Sequence, residues 1–155
     1  MMNKLPKYLN NLEEKISKHT ISNPEISKSN VGWQIEHILL TINAIIENIE
    51  KSDPQNYRWR FSPSKTMVFA LNKIPRGRAK SPKVVTPEHY DEKTLEHHLQ
   101  FTKTKIRQLE NIDPNKYFNH PFFGDLKLKK AIKFLEIHTN HHVEIINDIL
   151  KSKNI

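Results

Sequence analysis

Apolar residues recur at helical spacing in four separate stretches of this 155-residue chain, and this pattern restricts the fold more than any other feature. Residues three or four apart lie on one face of an α-helix, so each stretch predicts a helix with one apolar stripe. The stripes are Leu5, Leu9, Leu12 and Ile16; Ile35, Ile38, Ile42, Ile45, Ile46 and Ile49; Leu95, Leu99, Thr102, Ile106 and Leu109; and Leu128, Ile132, Leu135, Ile145, Ile146 and Ile149. A content of only three glycines also favours helices over a turn-rich sheet protein.

Capping residues and prolines mark the expected helix ends. Ser29 and Asn30 are the candidate N-caps for the second helix, which we expect to end before Pro54. Thr86 precedes a proline and is the expected N-cap of the third helix, which should stop before Pro114. Asp125 is the expected cap of the last helix.

The connection over residues 52–87 is too long for a structureless loop inside a compact domain. Within it, "SKTMVFALNKI" places Met67, Ala70, Leu71 and Ile74 on one helical face, which predicts a short extra helix. A crossover of this length lets the second and third helices run parallel. We therefore predict a single all-α domain over 1–155: a four-helix bundle with up-down-down-up topology and one long crossover.

The net positive charge belongs to this crossover. The chain has a formal charge of +8, and the segment 54–87 contains eight basic residues and no acidic residue. Seventeen basic and seventeen acidic residues are left elsewhere, so the remainder is balanced. The basic residues are Arg58, Arg60, Lys65, Lys73, Arg76, Arg78, Lys80 and Lys83.

Three interpretations of the basic segment are open. It can border a substrate pocket and attract an anionic small molecule. It can bind nucleic acid, because Tyr57, Trp59 and Phe61 offer stacking surfaces among the cations. It can also be a solvated loop without a partner. The chain has no helix-turn-helix or other DNA-reading signature, so nucleic-acid binding is the minority interpretation.

The absence of cysteine excludes disulfides and thiolate ligands, so any metal ion must be held by histidine or carboxylate. The N-terminus has no apolar signal-like core, and no apolar run approaches 18 residues. We therefore expect a cytoplasmic protein without a membrane partner. A homodimer is possible.

The stretch "FLEIHTNHHVEII" at 134–146 contains the main functional candidates. His138 and His142 are one helical turn apart on the apolar stripe, and a buried imidazole without partners costs roughly 1–3 kcal/mol. A shared metal ion would satisfy both rings; the alternative is two core histidines bonded to nearby backbone or hydroxyl groups. His141 points to the rim, and His120 is interpreted as a turn residue without a functional role.

A metal site needs a third ligand from another helix. His37, in "VGWQIEHILL", is the best candidate because it shares a second apolar face with Trp33, Leu40 and Ala44. His98 lies beside the stripe of the third helix and is the reserve candidate.

A helix with tryptophan and histidine, a long crossover and a last helix containing HxxxH resemble the DinB-like superfamily of metal-binding four-helix bundles. The segment "HPFFGDLKLKKAIKFLEIHTNHHVEIINDIL" is similar to members with an aromatic-Gly-Leu entry to the last helix. The likeness covers nearly the whole chain, moderately in 30–50 and strongly in 120–150. It implies that His37, His138 and His142 hold a divalent metal ion.

The resemblance also implies a class of function. Three imidazoles leave an open coordination position, where a water becomes more acidic and a thiol loses its proton. Zinc, nickel, iron and manganese all fit three nitrogens plus water. Some similar proteins look like thiol transferases and others like hydrolases, and here the thiol must be a low-molecular-weight cosubstrate. The alternative is a protein that binds metal without catalysis, or binds nucleic acid through 54–87.

Overall fold

The computed structural model describes residues 3–77 and 80–155, which are mainly helical. The helices are α1 (Leu5–Glu13), α2 (Val31–Lys51), α3 (Pro63–Leu71), α4 (Glu92–Gln108) and α5 (Leu128–Ser152), and the strands are β1 (Tyr117–His120) and β2 (Gly124–Lys127). Short 3-10 turns lie at Ile16–Lys18, Pro54–Asn56, Lys83–Val85 and Leu109–Asn111. Among the described residues, no helix combines the length and apolar character needed to cross a bilayer.

The predicted all-α four-helix bundle is wrong. The described chain has five helices and a two-stranded antiparallel sheet, and it is 62% helical. The sheet is a hairpin that joins α4 to α5, with Tyr117 opposite Lys127 and His120 opposite Gly124. Gly124 has φ of 76°, a backbone conformation that side chains disfavour and that allows the tight reversal.

The hairpin also overturns the predicted cap of the last helix. Asp125 lies in β2, and its carboxylate accepts hydrogen bonds from the backbone N–H of Arg58 (2.8 Å) and the side chain of Asn119 (2.6 Å). Lys127 is the residue that precedes α5, and its side chain makes no capping hydrogen bond. Asp125 therefore ties the crossover to the hairpin.

The apolar stripes pack as predicted. α2 contacts α4 and α5, and α1 contacts the same two helices. Residues of all four stripes, such as Leu9, Ile42, Leu99 and Leu135, have no exposed surface. A fully buried leucine or isoleucine side chain stabilises a fold by roughly 1.5–3 kcal/mol relative to exposure, so the core alone favours this helix arrangement.

Two helix starts test the capping predictions. Asn30 caps α2 as expected, because its Oδ1 accepts a hydrogen bond from the Trp33 N–H (2.8 Å). Thr86 does not cap the third long helix; α4 begins after Asp91, which forms a capping box with Thr94. The intervening residues form neither helix nor strand, and the Tyr90 hydroxyl donates to Asn30 at the start of α2 (2.7 Å).

The crossover contains the short helix that the sequence predicted. Ser62 caps α3, and Asn72 ends it in the left-handed conformation with φ of 50°. Further along, the turn Lys83–Val85 packs against α2. This contact brings the backbone of Val85 to the face of α2 that carries His37.

Candidate metal centre

Three histidines from two helices converge at one point. His37 comes from α2, while His138 and His142 are one turn apart on α5, and one ring nitrogen of each lies within 4.8 Å of the others. The Nε2 atoms of His37 and His138 are 3.1 Å apart. Two nitrogens bound tetrahedrally to one zinc ion lie about 3.3 Å apart, because each bond is about 2.0 Å. The structure thus brings together the three predicted ligands, and the cluster can hold a metal ion.

The orientation of His37 is fixed by the crossover. Its Nδ1–H donates to the backbone carbonyl of Val85 at 2.7 Å, which leaves a lone pair on Nε2. Trp33 stacks on the same ring with a centroid separation of 5.0 Å and an interplanar angle of 15°. His37 is only 3% exposed, so ring rotation would break both contacts inside the core.

The orientation of His142 is fixed by α2. Its Nδ1–H donates to Oε1 of Gln34 at 2.6 Å, while the Gln34 amide donates to the Ser27 hydroxyl at 3.1 Å. Gln34 is buried, with 2% exposure. His142 Nε2 therefore also carries a lone pair. Such outer partners hold metal-binding imidazoles in one tautomer.

His138 lacks such a partner. Its Nδ1 is buried and has no hydrogen-bonding partner among the described residues, and its Nε2 faces Nε2 of His37. When the proton sits on Nδ1, Nε2 of His138 joins the other two lone pairs. The donor set then consists of three neutral imidazole nitrogens around one buried point, which fits a divalent ion.

Burial keeps these rings neutral. It lowers the pKa of His37 and holds the pKa values of His138 and His142 well below the usual range of histidine. Repulsion between neighbouring imidazoles is the second cause for His138 and His142. Only the unprotonated ring can bind a metal ion, so the cluster is in its ligating form at neutral pH.

A fourth imidazole, His120, lies near the cluster at the end of β1. It stacks on Phe123 with centroids 4.0 Å apart and packs edge-on against Phe134, which in turn contacts the ring of His138. Its Nδ1 accepts hydrogen bonds from the backbone N–H groups of Phe122 and Phe123, both at 3.1 Å. Burial lowers the pKa of His120 to about 4. The interpretation of His120 as a simple turn residue missed this packing.

His141 lies at the rim, where the crossover meets α5. Its ring centroid lies 4.9 Å from that of His142, in an edge-on contact. Burial is the main cause that lowers the pKa of His141, and the positive charge of Arg76 adds to it. Arg76 also forms an ion pair with Asp148 on α5 at 2.8 Å. The basic crossover thus borders the histidine cluster at this edge.

The reserve candidate His98 does not join the cluster. Its Nδ1 lies 2.9 Å from both carboxylate oxygens of Glu36, and its Nε2 lies 3.1 Å from Nδ2 of Asn43. Both ring nitrogens therefore have protein partners. His98 joins α4 to α2 on another face of α2 from His37.

Sequence reasoning missed two groups that orient the ligands. Gln34 lies three residues before His37, and this i, i+3 spacing places both on one face of α2, which is a usable signal. Val85 contributes only its backbone carbonyl, so its side chain carries no signal.

No family model, no curated protein and no solved structure matches this chain. The metal centre therefore rests on the geometry of the histidines.

Proposed function

We propose that the protein is a metal-dependent enzyme of the DinB-like type, which acts on a small anionic molecule as a thiol-dependent transferase or as a hydrolase. One observation carries the proposal. The tautomers of His37 and His142 are fixed by carbonyl oxygens, so that their Nε2 lone pairs face the same buried point as His138. With the His138 proton on Nδ1, three lone pairs meet at this point, and a cation would be a partner for all of them.

The three ligands determine which reactions the site can support. His37, His138 and His142 would hold a divalent ion such as zinc, nickel, iron or manganese, which would supply a Lewis acid that lowers the pKa of a coordinated water or thiol. The chain has no cysteine, so a thiol must arrive as a low-molecular-weight cosubstrate.

The protein residues around the histidines prepare the site. The Val85 carbonyl and Gln34 hold two rings in place, which keeps the lone pairs aimed at one point before any ion arrives. Trp33 and Phe134 form apolar walls against His37 and His138. Apolar walls lower the local dielectric constant and strengthen electrostatic interactions at the site.

The charge at the rim supports an anionic substrate. Arg76 lies close enough to His141 to lower its pKa, and His141 packs against His142. The crossover that carries Arg76 contains eight basic residues and no acidic residue. Positive potential beside a cleft raises the local concentration of anions. Cellular thiol cosubstrates carry carboxylates, so the thiol reaction gives this charge a role.

The first test is metal content. Protein purified without a polyhistidine tag should bind one equivalent of a divalent ion, measured by elemental analysis after dialysis. Wild-type protein that holds no ion after exposure to zinc, nickel, iron and manganese would refute the proposal.

The second test is activity. Metal-loaded wild type and the His142→Ala variant should be assayed with low-molecular-weight thiols plus an electrophilic acceptor, beside ester and amide substrates. We expect turnover by wild type only, with loss of the thiolate or water activation in the variant. Stoichiometric metal without turnover on any substrate would favour metal binding without catalysis. Equal turnover in both proteins would show that the metal site takes no part in the reaction.

A further inference from the structure

Exposed apolar side chains concentrate in the basic crossover. Of the eight large hydrophobic residues that are exposed in the described chain, five lie in 54–87, which is about a fifth of the sequence. We define the crossover face as Trp59, Phe61, Met67 and Leu71, together with Phe122 from the hairpin, which are 68%, 65%, 56%, 65% and 65% exposed. Such clustering differs from the scattered exposed hydrophobic residues of an ordinary surface.

Direct contacts link the aromatic part of this face. The Lys65 ammonium lies over the Trp59 ring at 5.3 Å and donates to the Arg60 carbonyl at 2.7 Å. The Arg60 guanidinium and the Ser62 hydroxyl both donate to the carbonyl of Phe122 at 3.4 Å. The hairpin and the chain before α3 therefore form one continuous surface.

The aliphatic part is the outer side of α3. Met67 and Leu71 are four residues apart, so they lie on one side of the helix. Val68 is the residue of α3 that enters the core, with 7% exposure. The two sides of α3 are both apolar, but only one of them has a partner within the described protein.

The charged residues of the crossover itself have one sign. Arg58, Arg60, Lys65 and Lys73 lie in or beside it, and the segment 54–87 has no acidic residue. Asp125 accepts a hydrogen bond from the backbone of Arg58 rather than from its guanidinium. Arg76, further along the crossover, instead pairs with Asp148 on α5.

We propose that the crossover face binds the surface of a membrane rich in anionic lipids. Tryptophan and phenylalanine favour the headgroup level, aliphatic side chains favour the acyl boundary just below, and lysine and arginine attract anionic headgroups. The expectation that the protein has no membrane partner rested on the lack of a spanning segment, which does not bear on binding at the surface.

Two other occupants fit this surface less well. Single-stranded nucleic acid would stack on Trp59 and Phe61 but would leave Met67 and Leu71 in water. A second copy of the chain, paired symmetrically, would bring two basic segments together. A lipid surface gives the aromatic, aliphatic and charged groups a partner at the same time.

The experiment is vesicle co-sedimentation with the full chain at physiological salt. Vesicles with about one-third phosphatidylglycerol should bind the wild type at least about tenfold more tightly than pure phosphatidylcholine, because each basic residue near an anionic surface strengthens binding. Binding to the anionic vesicles should weaken as salt is raised.

Variants separate the apolar and charged contributions. Trp59→Ala with Met67→Ser and Leu71→Ser, and separately Arg60→Gln with Lys65→Gln, should each weaken binding to anionic vesicles at least about tenfold. Phe101→Ser is the matched control, because Phe101 is 54% exposed and belongs to α4 and not to the crossover. Circular dichroism should confirm that all variants are folded. Equal binding by the triple variant and wild type, no vesicle binding at all, or tighter binding of single-stranded oligonucleotides than of vesicles would overturn the proposal.

Discussion

Two groups of polar side chains that contain histidine lie on different sides of α2: the His98 cluster, which has one imidazole, and the ligand cluster, which has three. The two clusters satisfy their imidazoles in opposite ways. Glu36 and His37 are adjacent in sequence, so their side chains leave the helix about 100° apart. On one side, both ring nitrogens of His98 have partners, in Glu36 and Asn43. On the other side, Nδ1 of His138 has no partner within 3–77 and 80–155, and its Nε2 faces another imidazole.

The difference separates a structural histidine from a ligand. The partners of His98 are a carboxylate that accepts and an amide that donates, so the ring completes its hydrogen bonds without help. In the other cluster, the part of the chain that the structure describes supplies partners for the outward nitrogens of His37 and His142 and none for Nδ1 of His138. The ring nitrogens that point inward face one another, which favours a cation as their common partner.

The largest expected effect is on metal content. His138→Ala removes one of three ligands and should reduce bound zinc to less than about a tenth of an equivalent, because two imidazoles on α2 and α5 cannot enclose the ion. His98→Ala is the matched control and should keep a full equivalent. Elemental analysis of both untagged proteins, after dialysis at pH 7, is the measurement.

Two results would break the comparison. Retention of stoichiometric zinc by His138→Ala would show that zinc binds elsewhere in the protein. Loss of zinc by a folded His98→Ala protein would mean that the two clusters act together, through α2.

The ligand cluster was largely predictable because it follows helical periodicity. His138 and His142 interrupt an apolar stripe at i, i+4 spacing, and His37 shares a second apolar face with Trp33. The hairpin was not predictable in this way, since its strands have four residues each and too few alternating positions to show a period. Its pairing depends on Gly124, whose positive φ appears only in the folded chain.

The groups that orient the ligands lie at the limit of sequence reasoning. The Val85 carbonyl reaches His37 across 48 positions of sequence, and a backbone atom leaves no trace in residue identity. The outward face of α3 shows a second limit of prediction from sequence. Met67 and Leu71 were correctly placed on one helical face, but periodicity does not tell whether that face meets the core or solvent.

The second prediction concerns the stability of the metal-free protein in acid. Burial lowers the pKa of His120 to about 4, so the unfolded chain, with a pKa near 6.5, binds a proton that the folded chain does not. The free energy of unfolding should therefore fall as pH drops from about 6.5 to about 4, by about 3 kcal/mol from His120 alone. His37, His138 and His142, whose pKa values are also lowered, add to this fall.

The test is urea unfolding of the metal-free protein across this pH range. His120→Asn retains an acceptor for the N–H groups of Phe122 and Phe123 but cannot titrate, so its stability should depend less on pH than that of wild type. His97→Asn, at an exposed position on α4, is the control and should follow wild type. An unchanged pH dependence in His120→Asn would show that its burial is not maintained in solution.

The third prediction concerns the support of His142 by Gln34. Gln34→Leu removes the acceptor of the His142 Nδ1–H and should weaken zinc binding about 10–100-fold, because the ring loses its fixed tautomer and orientation. Gln34→Glu keeps an acceptor and should bind zinc at least as tightly as wild type. Asn43→Leu removes an amide from the same helix on the His98 side and should leave affinity unchanged. Competition with a fluorescent chelator measures all three, and wild-type affinity in Gln34→Leu would deny the glutamine this role.

The smallest expected effect lies in the His98 cluster. Glu36→Gln replaces a charged acceptor with a neutral one, so the hydrogen bond from His98 Nδ1 should weaken and stability should fall by about 1 kcal/mol. The loss is small because the amide oxygen of the glutamine still accepts the hydrogen bond from His98, so only the contribution of the charge is lost. Glu47→Gln, whose partner Lys51 lies on the same helix at the surface, should show no measurable change in the urea midpoint. Zinc content should be unchanged in both variants. A folded Glu36→Gln protein that loses zinc would contradict the separation of the clusters, since Glu36 and the ligand His37 are neighbours on the backbone and a shift of α2 would then connect them.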